Sequence, residues 1–148
     1  MLKHIILTQG RSGSNFLANT LNHHPSVVNF GEVLGDWTIA YRLRRLMAIA
    51  GVSDRDFLEM LLHSQSLFYC GQIWSASAHL RKKQPINFKF FRNVESIGIK
   101  EFFIHFQRLK LEDFLLQNPD IAVIYLARTN LLRRYLSLQS LSKRKIVS

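Results

Sequence analysis

Short apolar runs alternate along the chain with stretches whose apolar residues recur every three or four positions, the pattern of strands and helices taken in turn. Lys3 to Thr8 (KHIILT) reads as a buried parallel strand, and Gln9 to Ser14 (QGRSGS), made of small and polar residues, as the turn after it. Asn15 to His24 predicts a helix with Phe16, Leu17, Thr20 and Leu21 on one face, stopped by Pro25. Ser26 to Phe30 is a second short strand, with Gly31 and Glu32 directly behind it.

Ile39 to Ala50 predicts an amphipathic helix striped by Ile39, Leu43, Leu46, Met47 and Ala50, with Arg42, Arg44 and Arg45 largely outside the stripe. Ser53 and Asp56 are spaced as a capping box ahead of Phe57, Leu58, Leu61 and Leu62. Leu67 to Cys70 has strand character, and Ser75 to Gln84 is polar and basic, a surface helix or loop. Pro85 to Phe91 (PINFKFF) reads as a strand and Lys100 to Gln117 as a helix cored by Phe102, Phe103, Phe106 and Leu109. After the Asn118-Pro119-Asp120 turn, Ile121 to Leu126 (IAVIYL) is the clearest strand; Leu131, Leu132, Tyr135, Leu138 and Leu141 mark a last helix, capped by Asn130. Strands that alternate with helices and run continuously apolar predict an α/β fold in three layers, its mainly parallel central sheet covered by helices on both faces.

Composition narrows the class. With 148 residues, 47% of them hydrophobic, the chain is expected to form a single domain over residues 1–148, and disordered or disulfide-framework classes are excluded. Cys70 is the single cysteine, which points to a reducing, cytoplasmic setting. No signal peptide is indicated, and the longest strongly apolar stretch, Ile121 to Ala127, falls far below the roughly 20 residues of a spanning helix, so no membrane anchor is expected. The formal charge of +10 predicts an anionic ligand or partner, and six of the Lys and Arg residues lie between Arg128 and Ser148, a stretch without any acid. The histidines are scattered or adjacent at a helix end, without zinc-ligand spacing, so no metal is expected. His105 reads as an ordinary partly buried side chain and Cys70 as a buried one, while Lys89 faces either the crevice or the less buried side of the sheet. Trp37 or Trp74 could stack on a ligand ring.

In an open α/β sheet ligands gather beyond the carboxyl ends of the strands, where three features fall: Gln9 to Asn15, Glu32 and Arg128. The loop Gly10-Arg11-Ser12-Gly13-Ser14 leads into a helix whose first amides lack intrahelical partners, which together make an anion cradle. It lacks the lysine and the length of a Walker A loop and the spacing of a GxGxxG loop, so nucleoside triphosphate hydrolysis is disfavoured. An arginine just after a buried strand, as Arg128 is, can meet a planar anion bidentately, whereas Arg133 within the helix is expected to face water.

Residues Ile6 to Leu17 (ILTQGRSGSNFL), continuing through Leu21-Asn22-His23-His24-Pro25 to Phe30-Gly31-Glu32, resemble the opening of a P-loop-fold sulfotransferase, nearest to the bacterial carbohydrate type; Ile121 to Ser137 resembles that family's second block. The resemblance implies 3′-phosphoadenosine 5′-phosphosulfate (PAPS) as co-substrate, its 5′-phosphosulfate held by Gly10, Arg11, Ser12, Gly13, Ser14 and Asn15 and its 3′-phosphate by Arg128 and Ser137. It implies sulfuryl transfer to a small-molecule hydroxyl acceptor such as a carbohydrate. Arg11 would stabilise charge on the leaving oxygen, and Glu32 would be the base that takes the acceptor proton. Members of that family run longer past the second block, so a partial chain or a pocket completed by a homodimer is expected. Asn15 departs from the pattern, standing where a hydroxyl residue is common. Two other readings stay open: a nucleic-acid-binding domain using Arg42, Arg44 and Arg45, disfavoured because no nucleic-acid signature is present, and a catalytically inactive nucleotide-binding module.

Overall fold

The computed structural model describes residues 1–81, 83 and 86–146. Element order is β1 (Leu2–Thr8), α1 (Ser14–His23), β2 (Val27–Asn29), α2 (Ile39–Ile49), α3 (Asp54–His63), α4 (Gln65–Arg81), a 3-10 turn (Phe91–Asn93), β3 (Ser96–Phe102), α5 (Phe103–Arg108), α6 (Phe114–Gln117), β4 (Ile121–Leu126) and α7 (Leu131–Ile146). The four strands form one parallel sheet in the order β2-β3-β1-β4, flanked by helices in a three-layer α/β arrangement. Ile5 lies level with Ile99 on one side and Val123 on the other, and Ile5, Ile97 and Ile99 are fully buried.

Where local chemistry suffices, sequence and structure agree. Ser53 accepts from the Asp56 amide while the Asp56 carboxylate accepts from the Ser53 amide, the reciprocal capping box, and Phe57, Leu58, Leu61 and Leu62 are all fully buried beyond it. Asn130 Oδ1 accepts from the Arg133 amide at the start of α7.

Several expectations are overturned. Leu67 to Cys70 is part of α4, not a strand, and Cys70 is exposed, not buried. Residues 86–90 are irregular; Pro85 and Gln84 lie outside the described residues. Lys100 does not begin a helix but sits near the end of β3, where Ile97, Ile99 and Glu101 alternate with Gly98 and Lys100; only α5 and α6 remain of the expected long helix. Phe106 is core, whereas Phe103 is 44% exposed. On α1 the buried residues are Ser14 and Ala18, so the helix rests on the sheet through small side chains while Phe16 faces out.

Helix α2 also turns differently, burying Ala40 and Arg44 and leaving Leu46 exposed; the Ile39 side chain lies outside the described residues. Arg44 is drawn in by Asp36 at 3.8 Å and Asp54 at 3.4 Å, an electrostatic pull that apolar spacing does not register. Strand β4 is an edge strand and less covered than the rest of the sheet: Ala122 to Tyr125 are exposed. The leucine stripe of α7 is likewise exposed at Leu131, Leu132, Tyr135 and Leu138, with the Leu141 side chain outside the described residues. Among the described residues no helix is long and apolar enough to cross a membrane.

Lys89 and His4 tie the β2 side together. The Lys89 ammonium donates to the carbonyls of Asn22, His24 and Val27 at 2.5–2.8 Å, pinning the irregular segment onto the end of α1. Burial pushes its amine below the ordinary lysine value. His4, buried in β1, lies 2.9 Å from Ser96 Oγ and accepts at Nε2 from the Asn29 carboxamide at 3.1 Å. Burial holds its imidazole below the ordinary 6.5. The unfolded chain therefore takes up a proton near pH 6.5 that the folded chain refuses, so this contribution to stability is intact above that pH and drains away below it. Asp56 and Asp120, held low by hydrogen bonds from Ser53 and Lys3, lose their contributions only as pH falls through and below their ordinary 3.8. We expect urea denaturation to give falling stability between about pH 7 and 5, with a shallower slope in His4→Gln; equal slopes would remove His4 as the cause.

Candidate functional site

All four strands point the same way, so the loops after β1, β2, β3 and β4 share one edge of the sheet. At its β1–β4 end the chain leaves Thr8 and enters a loop in which two residues adopt the left-handed conformation, Arg11 at φ 64° and Gly13 at φ 91°. Glycine takes this geometry freely; arginine does not, and a left-handed non-glycine residue costs about 1–3 kcal/mol. Gly13 is the N-cap of α1, and the amides of Phe16 and Leu17 return to its carbonyl. Having no side chain, Gly13 leaves the first helical amides uncapped. Ser14, the first residue of the helix, is 5% exposed, and among the described residues its hydroxyl has no hydrogen-bond partner.

Three arginines converge on this loop. Arg11 Nε donates to Ser137 Oγ at 2.8 Å, Arg128 Nη1 donates to the Arg11 carbonyl at 3.3 Å, and Arg134 donates to the Gly10 carbonyl at 3.1 Å and to Gln9 Oε1 at 2.7 Å. A trans peptide sets its N–H opposite its C=O, so with the Gly10 and Arg11 carbonyls turned toward arginines, the amides of Arg11 and Ser12 face the other way. Thr8 Oγ1 donates to the Leu126 carbonyl and touches Ser12 Oγ, fastening the loop to the end of β4. Among the described residues none of the three guanidinium groups meets a carboxylate, unlike Arg44, Arg55 and Arg108.

Arg11, Arg128 and Ser137 are thus brought together with Gly10 and Ser12, although they come from opposite ends of the chain. Asn15 is exposed on the first turn of α1. Arg134 is the residue that sequence reasoning passed over. Its signal was available: three positions before Ser137, it lies on the same helix face.

Glu32 lies at the other end of the same sheet edge, past β2. Its Oε1 pairs with Lys100 and its Oε2 accepts from Trp37 Nε1 at 3.0 Å. Lys100 is 2% exposed and lies 4.6 Å from the centre of the Phe102 ring. Next to it, fully buried Glu101 accepts from the Leu34 amide at 2.7 Å and pairs with His105 Nδ1 at 3.1 Å, and Trp37 meets the His105 ring edge-on. His105 is therefore part of a buried polar network, not a partly buried bystander. Trp37 is held by this network and Trp74 packs edge-on against Phe30. Lys100 and Glu101 escaped sequence reasoning because their partners, Glu32 and Leu34, lie far away in the chain.

Removing one member of a buried ion pair strands the other, so Lys100→Met should cost about 2–3 kcal/mol in chemical denaturation. The double variant Glu32→Gln/Lys100→Met should recover most of that loss, and strict additivity would show that the pair contributes nothing. Compared with known proteins, the chain matches no family model, no curated protein and no solved structure.

Proposed function

We propose that the loop between β1 and α1 binds PAPS and that the chain transfers its sulfuryl group to a hydroxyl acceptor, such as a carbohydrate. The observation that carries this reading is the gathering of Arg11, Arg128 and Arg134 on one loop without a carboxylate partner among the described residues. Three uncompensated guanidinium groups beside an uncapped helix start favour a ligand carrying more than one negative charge. The left-handed Arg11, which costs stability in the free protein, and the Ser14 hydroxyl, which has no hydrogen-bond partner among the described residues and is open to a ligand, support the same reading.

When bound, the donor supplies a sulfuryl group already activated by an anionic leaving group. Arg11 and the loop amides neutralise charge on the departing bridge oxygen, and Arg128 with Ser137 holds the distal phosphate. Glu32 takes the proton of the acceptor hydroxyl as the new sulfur–oxygen bond forms and the bridge bond breaks. To do so it must release Lys100 or Trp37, which occupy its two oxygens. That occupancy favours a second reading, a module that binds the nucleotide without transfer. The nucleic-acid reading is weakened by Arg44, which is buried against Asp36 and Asp54 instead of joining an exposed basic face with Arg42 and Arg45.

Titration calorimetry with 3′-phosphoadenosine 5′-phosphate, PAPS, ATP and a short oligonucleotide separates these readings. We expect micromolar affinity for the two 3′-phosphorylated nucleotides, weakened about tenfold or more by Arg128→Ala; preference for the oligonucleotide would overturn the proposal. Glu32→Gln should keep nucleotide affinity and lose turnover with PAPS and an acceptor. Undetectable turnover by the unaltered chain across a broad acceptor panel would leave binding without transfer as the function.

A further inference from the structure

A cavity of about 420 Å³ lies between α1, β2 and α4, apart from the basic loop. No residue of the loop, nor Arg128, Arg134 or Ser137, lines it. Its α1 residues begin at Asn19, five positions past Ser14 and so about 7 Å further along the helix axis. The volume lies within the range of about 300–1,000 Å³ that holds small ligands.

The walls are polar, with Asn19, Gln72, Ser75 and Asn87 beside the imidazoles of His23 and His79. No carboxylate lines the cavity, and Lys89 spends its three N–H donors on the carbonyls of Asn22, His24 and Val27. Gln72 is 4% exposed, and among the described residues its carboxamide has no hydrogen-bond partner. Its amide donors and its acceptor oxygen are therefore open to the cavity and available to a ligand there. Asn19 and Ser75 add further donors and acceptors, and Asn87, which donates to the Asn22 carbonyl, keeps its amide oxygen as an acceptor. The apolar wall is Phe30, whose ring is met edge-on by Phe68 and Trp74 and lies so close to α4 that a side chain at Gly71 would collide with it.

We infer that this cavity is a binding site for a small neutral polyhydroxyl molecule of saccharide size. Each hydroxyl both donates and accepts, which matches the carboxamides of Asn19 and Gln72 and the imidazoles of His23 and His79 on the same wall; with no lining carboxylate and Lys89 spent on carbonyls, the cavity offers no fixed charge to hold an ion. Phe30, wedged between its aromatic neighbours, suits an aliphatic C–H face better than a stacked base. The inference stands on different residues from the anion loop and holds whether or not PAPS binds there.

The test is an amide NMR titration of the full chain with methyl α-glucoside and myo-inositol, with glucuronate, adenosine and 3′-phosphoadenosine 5′-phosphate as comparisons. One of the neutral polyols should saturably shift the amides of Asn19, Gln72 and Ser75. Gln72→Leu, which keeps the volume and removes the amide, should weaken that binding about tenfold while leaving the affinity for 3′-phosphoadenosine 5′-phosphate unchanged. Ala76→Phe, which fills the cavity from α4, should abolish it in a protein whose circular dichroism is unaltered. Absence of a response to either polyol, an unchanged affinity in Gln72→Leu, or stronger binding of glucuronate, adenosine or the bisphosphate at these residues would each overturn the inference.

Discussion

Parallel pairing of β1 with both β3 and β4 places the carboxyl ends of the strands on one edge, and the chemistry of the molecule collects there. Backbone groups along a parallel ladder satisfy one another, but where the strands stop the chain must find other partners. At the end of β1 it finds them in side chains carried by the β4–α7 segment: Leu126 offers its carbonyl to Thr8, and the carbonyls of Gly10 and Arg11 are answered by Arg134 and Arg128. The basic edge is thus partly a structural consequence of closing the loop. It leaves a surplus of positive charge, because the same arginines meet no carboxylate among the described residues.

The neighbouring end of the edge is arranged on the opposite principle. Lys100 and Glu101, adjacent on β3, project to opposite faces of the sheet, and each finds a counterpart, Glu32 for one and His105 for the other. Trp37 and Phe102 pack their rings against these pairs. An open, uncompensated basic loop beside a closed, compensated acid–base network gives the edge two electrostatically distinct halves. The proposed sulfuryl transfer would require them to act together, with Glu32 leaving its partners.

The β2 side contributes little to that edge and carries a different polar interior. His4, Asn29, Asn22 and Lys89 form a hydrogen-bonded run from the centre of the sheet to the end of α1. These groups are satisfied by one another, whereas the carboxamide of Gln72 beside them has no protein partner among the described residues and opens to the cavity.

The sequence by itself determined what depends on near neighbours. Strand β1, the glycine-bearing turn after it, the start of α1, the capping box at Ser53, strand β4 and the cap at Asn130 follow from residues within a few positions of one another, where steric and hydrogen-bonding preferences act without help from the fold. Tertiary structure decided what depends on distant partners. It turned the Lys100 segment into a strand by giving its charges Glu32 and His105, and it pulled Arg44 inward onto Asp36 and Asp54. It aimed the polar face of α7, not its leucine stripe, at the loop through Arg134 and Ser137. In each case a charged or polar side chain found a partner outside its own helix or strand, and periodicity along a single segment carries no record of such a partner.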